Sequence, residues 1–417
     1  MTLLYRQARP LAAGLLTAAL LGLASPAAAL TLEQTLVLAE REAPALAAQA
    51  ATMLAAQQAA IPAGELPDPK LRLGLQNLPI EGESRWELGA EAMTMQMVGV
   101  MQEVPNRDKR RARVNAAQAE IELAEVQRTL TRLQVRQQAA QAWIATLAIE
   151  RKLELFQQLF DENRLFTKAI AARLAGGKGL TADSVSPRQE AIALAEEEDL
   201  LRRDEAIARA ELRRWIGDAA SQPLTGDWPR WSDDLSHYQH NLERHPELKL
   251  YEPMTRRAEA EIAQAVAEKT PDWGWGVDYQ RRGQGFGDMV SLSVSMDLPV
   301  FAGSRQDPKI AAERARLAAL QADRERVLRM HDRELAEDLA EYRRLEQSLE
   351  RIEQTLLPLA EEKVRLAMAD YRSGSGELTA VVEAREQLVQ TRLRAVDIAR
   401  DRALANARLH FAFGDTP

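Results

Sequence analysis

The residues of this sequence that are most able to do chemistry are methionines on a predicted strand. Met93, Met95 and Met97 alternate with Thr94 and Gln96, so their thioethers should share one face of that strand. Thioether sulfur suits soft ions such as Cu(I) and Ag(I), which makes these three methionines weak candidates for a metal ladder. The alternative that we favour is that they form the apolar side of the strand.

Three histidines provide a second group of possible ligands. His237, His240 and His245 lie within nine residues of each other, but no thiol or acidic residue accompanies them at the spacing of a known metal motif. We therefore predict that they are helix-surface residues, with metal binding as the lesser alternative.

A glycine-rich stretch could suggest a phosphate-binding loop. The segment 176–179 reads Gly-Gly-Lys-Gly. The upstream glycine of that motif is replaced by Ala172, and Gly179 stands where a Ser or Thr must ligate the metal. A tight turn explains the stretch better. The sequence also contains no HExxH, nucleophile elbow or dinucleotide fingerprint, so we predict neither an enzyme nor a cofactor.

Alternating segments predict two β-hairpins, at about residues 70–104 and 272–299. In the second hairpin, Val290, Leu292 and Val294 alternate with serines, as in a strand whose two faces meet different environments. Around these hairpins the composition is rich in Ala, Leu, Glu, Gln and Arg, which is typical of long helices.

The sequence is internally duplicated at an offset close to 200 residues. Val104-Pro105 corresponds to Leu298-Pro299, and Ile216-Gly217-Asp218 corresponds to Phe413-Gly414-Asp415. Such a repeat determines the architecture before single elements are assigned. The predicted order is a signal at 1–29, a first repeat at 30–217, a linker at 218–235 and a second repeat at 236–417.

Each repeat should contain one very long helix flanked by shorter ones. The helix from Asn106 to Arg173 would be roughly 100 Å long. The shorter helices Leu32–Ile61 and Leu180–Ile216 could together run antiparallel along it. The second repeat would place Pro308–Tyr371 against Ser236–Lys269 and Thr379–Phe413. A seam of leucines at 345, 349, 356 and 359 with Ile352 predicts coiled-coil packing, and Pro358 should kink it.

The N-terminus predicts export across a membrane. Arg6 and Arg9 precede an apolar run from Leu11 to Leu23, followed by an A-x-A cleavage site at 27–29. Without that segment, 52 basic residues face 62 acidic ones, a net charge of −10 that argues against a nucleic-acid partner. The sequence has no cysteine, so we predict no lipid anchor.

Two alternating hairpins in an exported chain favour strands in a membrane, since apolar-out and polar-in alternation is what membrane barrels require. The methionine side would then face lipid, and Thr94 and Gln96 would face the lumen. Four strands cannot close a barrel, for which about eight are needed. Two chains would give eight strands and three would give twelve, and periodicity alone does not choose between them.

At the level of motifs, the chain resembles the TolC-like outer-membrane efflux family over essentially its whole mature length. The resemblance rests on the opening Leu30–Gln34, the segment after Pro67-Asp68-Pro69, the strand end Gln102–Pro105 before Lys109–Arg113, and the turn Tyr371–Gly374. The opening and the basic strand-to-helix join look most like the heavy-metal branch, which serves cobalt/zinc/cadmium and copper/silver exporters.

The resemblance implies a homotrimer with a twelve-stranded barrel in outer-membrane lipid and a helical coiled-coil tunnel through the periplasm. Its implied partners are a periplasmic adaptor protein and an inner-membrane pump of the resistance-nodulation-division type. The chain would be a passive duct for substrates such as heavy-metal cations. Drugs or secreted polypeptides are an alternative cargo, and a soluble periplasmic coiled-coil adaptor or scaffold is the alternative from another class.

The family's adaptor-docking and gating end corresponds here to the tips Ala175–Val185 and Arg372–Glu383. By resemblance, Asp183 and Glu383 are tip acids and Tyr371 is a tyrosine that latches the closed state, while the arginine that completes the latch falls on Gly376. Acids there would attract cations by charge focusing in a narrow pore. The candidate tip residues are Gly176, Gly179, Asp183, Tyr371, Arg372, Gly374, Glu377 and Glu383.

Overall fold

The computed structural model describes residues 29–177, 180–231, 236–283 and 285–414. Almost all of the predicted signal segment, and Gly179 of the first tip, therefore lie outside the described residues.

Ten helices and four strands make up the described part of the chain. In order they are α1 Leu32–Glu42, α2 Pro44–Ala60, β1 Lys70–Gln76, β2 Met95–Val104, α3 Arg107–Ala175, α4 Ser186–Ile216, α5 Ser236–His240, α6 Pro246–Lys249, α7 Tyr251–Ala267, β3 Trp273–Arg282, β4 Met289–Met296, α8 Gln306–Arg351, α9 Leu357–Ser373 and α10 Leu378–Phe413. The fold is mainly α with a small β part, as predicted. No helix among the described residues is long and apolar enough to cross a membrane.

Prolines divide two of the predicted helices into shorter ones. The helix expected at 32–61 is two helices, because Pro44 begins α2 after the extended residue Ala43. The helix expected at 236–269 is three helices, with Pro246 in the first turn of α6. Proline has no N–H to donate within a helix but fits its first turn, so both positions start a helix instead of continuing one.

The long helix α3 has 69 residues and organises the helical part of the molecule. As expected, the shorter helices α1, α2 and α4 pack along it, and α8 packs in the same way against α7 and α10. Helices α7 and α10 of the second half also contact α3. Trp143 of α3 is almost completely buried, and its Nε1 donates to the carbonyl of Leu30 at 3.2 Å. The two halves therefore share one helical layer around α3.

The predicted break near Pro358 is present as a single π-helical turn, Ile352–Leu356, between α8 and α9. Before it the leucine seam is buried, with Leu345 at 1% exposure. The prediction was wrong for Leu356, the last residue of this turn, and for Leu359 after it, which are 44% and 56% exposed. A π turn adds one residue to the helix, so it rotates the following residues away from the seam.

The two predicted hairpins are present and join into one antiparallel sheet in the order β1-β2-β3-β4. The middle pair, β2 with β3, connects the two halves of the chain through ten residue pairs from Met95↔Arg282 to Val104↔Trp273. Strands β1 and β4 form the edges of this sheet.

A polar node joins the sheet to the helices. Asn106 caps α3, because its Oδ1 accepts from the backbone N–H of Lys109 at 2.9 Å. Asp272, just before β3, accepts from the Asn106 backbone N–H at 2.8 Å and from Lys109 Nζ at 2.6 Å. Burial alone would raise the pKa of Asp272, but the hydrogen bonds from Lys109 and Asn106 outweigh it and hold the pKa below its ordinary value.

We expect Asp272→Ala to lower the free energy of unfolding by about 2–3 kcal/mol at neutral pH, since three hydrogen bonds from Asn106 and Lys109 to a partly buried carboxylate are lost. The folded-state pKa lies below the unfolded one, so this stabilisation is present above about pH 4 and is lost as the pH falls through the folded value. Urea unfolding at pH 7 and pH 3 measures the difference. The matched control is Asp297→Ala, an exposed aspartate after β4. Equal effects of both substitutions would contradict the prediction.

Candidate functional site

Two helical turns form the end of the molecule that carries the predicted tip residues. Helix α3 ends at Ala175 and is capped by Gly176, and the next residue, Gly177, has a φ of 65°. Helix α9 ends at Ser373, and its cap residue Gly374 has a left-handed φ of 87°. A left-handed residue closes a helix at least cost when it is glycine, so these glycines set the sharp reversals into α4 and α10.

Tyr371 and Asp183, predicted in separate tips, are in direct contact. The hydroxyl of Tyr371 donates to Asp183 Oδ2 at 3.1 Å, which ties the end of α9 to the turn before α4. The tyrosine is 6% exposed and packs with Phe166 and Val381. Burial, followed by the hydrogen bond and charge of Asp183, raises the pKa of Tyr371. The phenol therefore stays protonated and able to donate at neutral pH.

Arg173 completes this cluster, although the sequence did not single it out. Its guanidinium lies over the Tyr371 ring at 4.0 Å from the centroid and donates to the Tyr371 carbonyl oxygen. The resemblance placed the arginine of the latch at Gly376, where a Cβ atom would lie 2.9 Å from the Cβ of Asp370. In the sequence, the only signal for a role of Arg173 was its place in the last turn of a helix, where a cation interacts favourably with the helix dipole.

The other predicted tip residues lie around this cluster. Gly176, Arg372, Gly374 and Glu377 are exposed on the two turns. Glu383 lines a groove of about 400 Å³ between α4 and α10, together with three further glutamates. These are Glu190, Glu197 and Glu386. Arg385 of α10 donates to Glu190 of α4 at 2.9 Å, so this acidic groove is braced by an ion pair between the two halves.

The register of the sheet corrects the interpretation of the methionines. Met95 pairs directly with Gln76 and Arg282, and Met97 with Gly74 and Gln280. Directly paired residues project on the same side of a sheet, so Met95 and Met97 lie on its polar face. Apart from glycines, the polar face consists of Lys70, Arg72, Gln76, Met95, Met97, Met101, Glu103, Asp278, Gln280, Arg282, Met289, Ser291, Ser293 and Ser295.

The expectation that these methionines form the apolar, lipid-facing side was therefore wrong, and Gln96 lies on the side expected for them. Both methionine side chains are 8% exposed, lying among the polar side chains of neighbouring strands. Met93 precedes β2 and is 61% exposed, so it does not continue the row.

The opposite side of the sheet is almost entirely hydrophobic and exposed. The hydrophobic residues of this apolar face are Leu71, Leu73, Leu75, Val98, Val100, Val104, Trp273, Trp275, Val277, Tyr279, Val290, Leu292, Val294 and Met296. Gln96, Gln102 and Arg281 lie on the same side of the sheet. Leu292 is 79% exposed and Val294 is 75% exposed. A patch of this size on one chain marks a surface that contacts something other than water.

The sequence suggested that all three histidines lie on helix surfaces, but His245 does not. His245 is 8% exposed and stacks on His331 of α8, with ring centroids 3.6 Å apart. Glu247 lies beside them, with its Oε2 3.0 Å from Nε2 of His331. Burial and then the nearby His331 lower the pKa of His245 to about 3, so its ring is neutral in the physiological range. His331 and Glu247 had no signal in the sequence, because they are 84 residues apart.

Comparisons with known proteins agree with this geometry. The model of the family described as outer membrane efflux protein matches residues 237–415. The cobalt-zinc-cadmium resistance protein CzcC of Cupriavidus metallidurans is 24% identical over 306 residues, which cover 70% of each chain.

Solved structures share the fold over nearly the whole chain. A membrane protein from Pseudomonas aeruginosa has a TM-score of 0.78 at 20% identity, covering 92% of both chains. CusC has a TM-score of 0.77 at 14% identity with the same coverage. The outer membrane protein VceC of Vibrio cholerae has a TM-score of 0.73 at 19% identity, covering 92% of this chain and 96% of that one.

These matches confirm the predicted resemblance to the TolC-like outer-membrane efflux family and to its heavy-metal branch. The chain has the fold of outer-membrane channels, and its second half matches the model of the efflux family directly. The matched family is described as an outer membrane efflux protein, a class that agrees with the prediction that the chain is not an enzyme.

Proposed function

We propose that the protein is the outer-membrane duct of a tripartite efflux system and that it exports heavy-metal cations. The observation that carries the proposal is the sheet with one exposed apolar face and one polar face. Such a sheet is stable when lipid covers the first face and a water-filled lumen meets the second. The same face argues against a soluble periplasmic adaptor, which would leave those leucines and tryptophans in water.

Three copies of the chain would close the barrel. Edges β1 and β4 carry backbone donors and acceptors that need partners inside a membrane. Pairing β4 of one copy with β1 of the next satisfies both edges. The likeness to the efflux family favours three copies and twelve strands over two copies and eight.

The helical part would form the periplasmic tunnel, with repeats at 30–217 and 236–417 joined by the linker 218–235. Its tips would contact a periplasmic adaptor protein and, through it, an inner-membrane pump of the resistance-nodulation-division type. We also propose cleavage of the signal at 1–29 and insertion without a lipid anchor, because the sequence has no cysteine.

Two observations support metal ions as the cargo. The curated relative CzcC carries cobalt, zinc and cadmium resistance in its name. Met95 and Met97 lie on the polar face, next to the proposed lumen, and thioether sulfur is a ligand for soft ions. Drugs or secreted polypeptides remain the alternative cargo for the same duct.

Deletion of the gene tests the cargo directly. We expect lower tolerance of Zn, Co, Cd, Cu or Ag, with little change across a drug panel. Minimum inhibitory concentrations measure both. The complemented strain is the control, and a second complementation with a variant that does not reach the outer membrane shows that the duct itself is required. Unchanged metal tolerance together with increased drug sensitivity would refute the metal proposal and support drug export.

A further inference from the structure

We propose that His245, Glu247 and His331 form a binding site for a divalent transition-metal ion of the zinc class, where the second half of the chain begins. One ligand atom from each residue lies within 4.8 Å of the others. Imidazole nitrogen and carboxylate oxygen are ligands that Zn²⁺ accepts readily. The site lies between α6 and α8, so an ion would clip the start of the second half onto its long helix.

The ligand geometry is close to what an ion requires. Metal–ligand distances of about 2.1 Å in a tetrahedron separate the ligand atoms by about 3.4 Å. Nε2 of His331 and Oε2 of Glu247 are already 3.0 Å apart. His245 stacks on His331 at 3.6 Å, so a rotation of its ring is enough to bring a nitrogen to the ion. Three protein ligands leave a fourth position for water.

A second carboxylate favours a metal site over a simple ion pair. Glu334 Oε2 lies 3.0 Å from Nδ1 of His331, which fixes the ring with Nδ1 as the donor and leaves Nε2 for the ion. Carboxylate–histidine–metal arrays of this kind are usual around protein-bound zinc. Both ring nitrogens of His331 therefore lie 3.0 Å from a carboxylate oxygen.

The surroundings also hold the ligands in place. His331 is 4% exposed, and Phe413 lies 5.3 Å from the ring of His245 and 6.3 Å from that of His331. Nδ1 of His245 accepts from the backbone N–H of Glu247 at 3.2 Å. Binding through Nε2 moves the ring proton to Nδ1 and breaks this contact, and the ion releases the proton on Nε2 of His331 to solvent.

This site does not depend on the cargo of the duct. It lies between helices, outside the four-stranded sheet and far along the chain from both tips. It would therefore bind an ion even if the exported substrate were a drug. The expected consequence is that the metal ion stabilises the packing of α6 on α8.

Zinc titration of the purified, chelator-treated full-length protein in detergent tests the proposal. We expect one Zn²⁺ per chain by calorimetry, together with a rise in Tm on zinc addition. Co²⁺ in place of zinc should give the absorption bands of a four-coordinate site. Glu334→Gln should weaken zinc binding by about 10–100-fold, as loss of an outer carboxylate does elsewhere, and Glu247→Gln should abolish the Tm rise.

The matched control is His240→Gln, which removes an exposed histidine of α5 and should leave zinc affinity unchanged. Glu247 and Glu334 are partly exposed, so their glutamine variants should fold even if replacement of the buried His331 does not permit folding. Zinc binding that is absent in the wild type, or equally strong in Glu247→Gln and Glu334→Gln, would overturn the proposal and leave His331 as a hydrogen-bonded link between two carboxylates.

Discussion

Replacing Leu292 by arginine is expected to prevent assembly of the protein in the outer membrane. Leu292 lies in the middle of β4 on the apolar face and is 79% exposed. Arginine on the lipid face of a barrel costs about 2–4 kcal/mol near the bilayer midplane. In a trimer that cost applies three times. We expect loss of the heat-modifiable oligomer in membrane fractions and a lower folding free energy in lipid vesicles titrated with urea.

The adjacent residue provides the matched control. Ser293 follows Leu292 in β4 but lies on the polar face, where Ser293→Arg adds a charge to a surface that already carries Arg72 and Arg282. We expect this variant to assemble as the wild type does, with altered ion selectivity. If both arginine variants assemble equally well, the apolar face does not contact lipid and the proposed duct is wrong.

Sequence periodicity predicted the elements of this fold but not the way they combine. Alternation located both hairpins, and helical spacing located α3 within two residues at each end. Such patterns do not predict the pairing of β2 with β3, because it joins strands about 180 residues apart. Without that register, the face of Met95 and Met97 was assigned from their hydrophobicity alone. Val98 and Val100 occupy the positions of β2 that point to the other side from Met95 and Met97. These valines were the signal that would have corrected the assignment.

The same limit applies to side-chain clusters. The contact of Tyr371 with Asp183 was anticipated only in so far as the resemblance named both residues. Arg173 had only the signal of a cation in the last turn of a helix, and His331 had none, since Tyr371 and Glu247 lie far from them in sequence. Pro358 was predicted to disturb its helix from its covalent structure. The exposure of Leu356 could not be predicted in the same way, because it depends on how many residues the π turn adds to the helix.

The Tyr371–Asp183 hydrogen bond contributes to the free energy that keeps the proposed gate closed. If the tunnel opens when α9 and α10 move away from α3 and α4, this bond must break in every copy. A net contribution of about 1 kcal/mol per copy gives about 3 kcal/mol for a trimer. Its loss would shift the opening equilibrium by about 100-fold. Because Tyr371→Phe keeps the ring, the packing on Phe166 and the contact with Arg173 should remain.

We therefore expect Tyr371→Phe and Asp183→Asn to raise the conductance of the purified channel in planar bilayers. The larger effect should come from Tyr371→Phe, because the amide that replaces the Asp183 carboxylate can still accept a hydrogen bond. Ser373→Ala is the matched control, since the Ser373 hydroxyl is hydrogen-bonded within its own turn, to the carbonyl of Asp370 at 2.9 Å and to the Ser375 hydroxyl at 2.7 Å. A conductance in Tyr371→Phe equal to that of the wild type would show that the hydrogen bond does not hold the tips closed. The groove lined by Glu383, or the Arg385–Glu190 ion pair, would then be the next element to test.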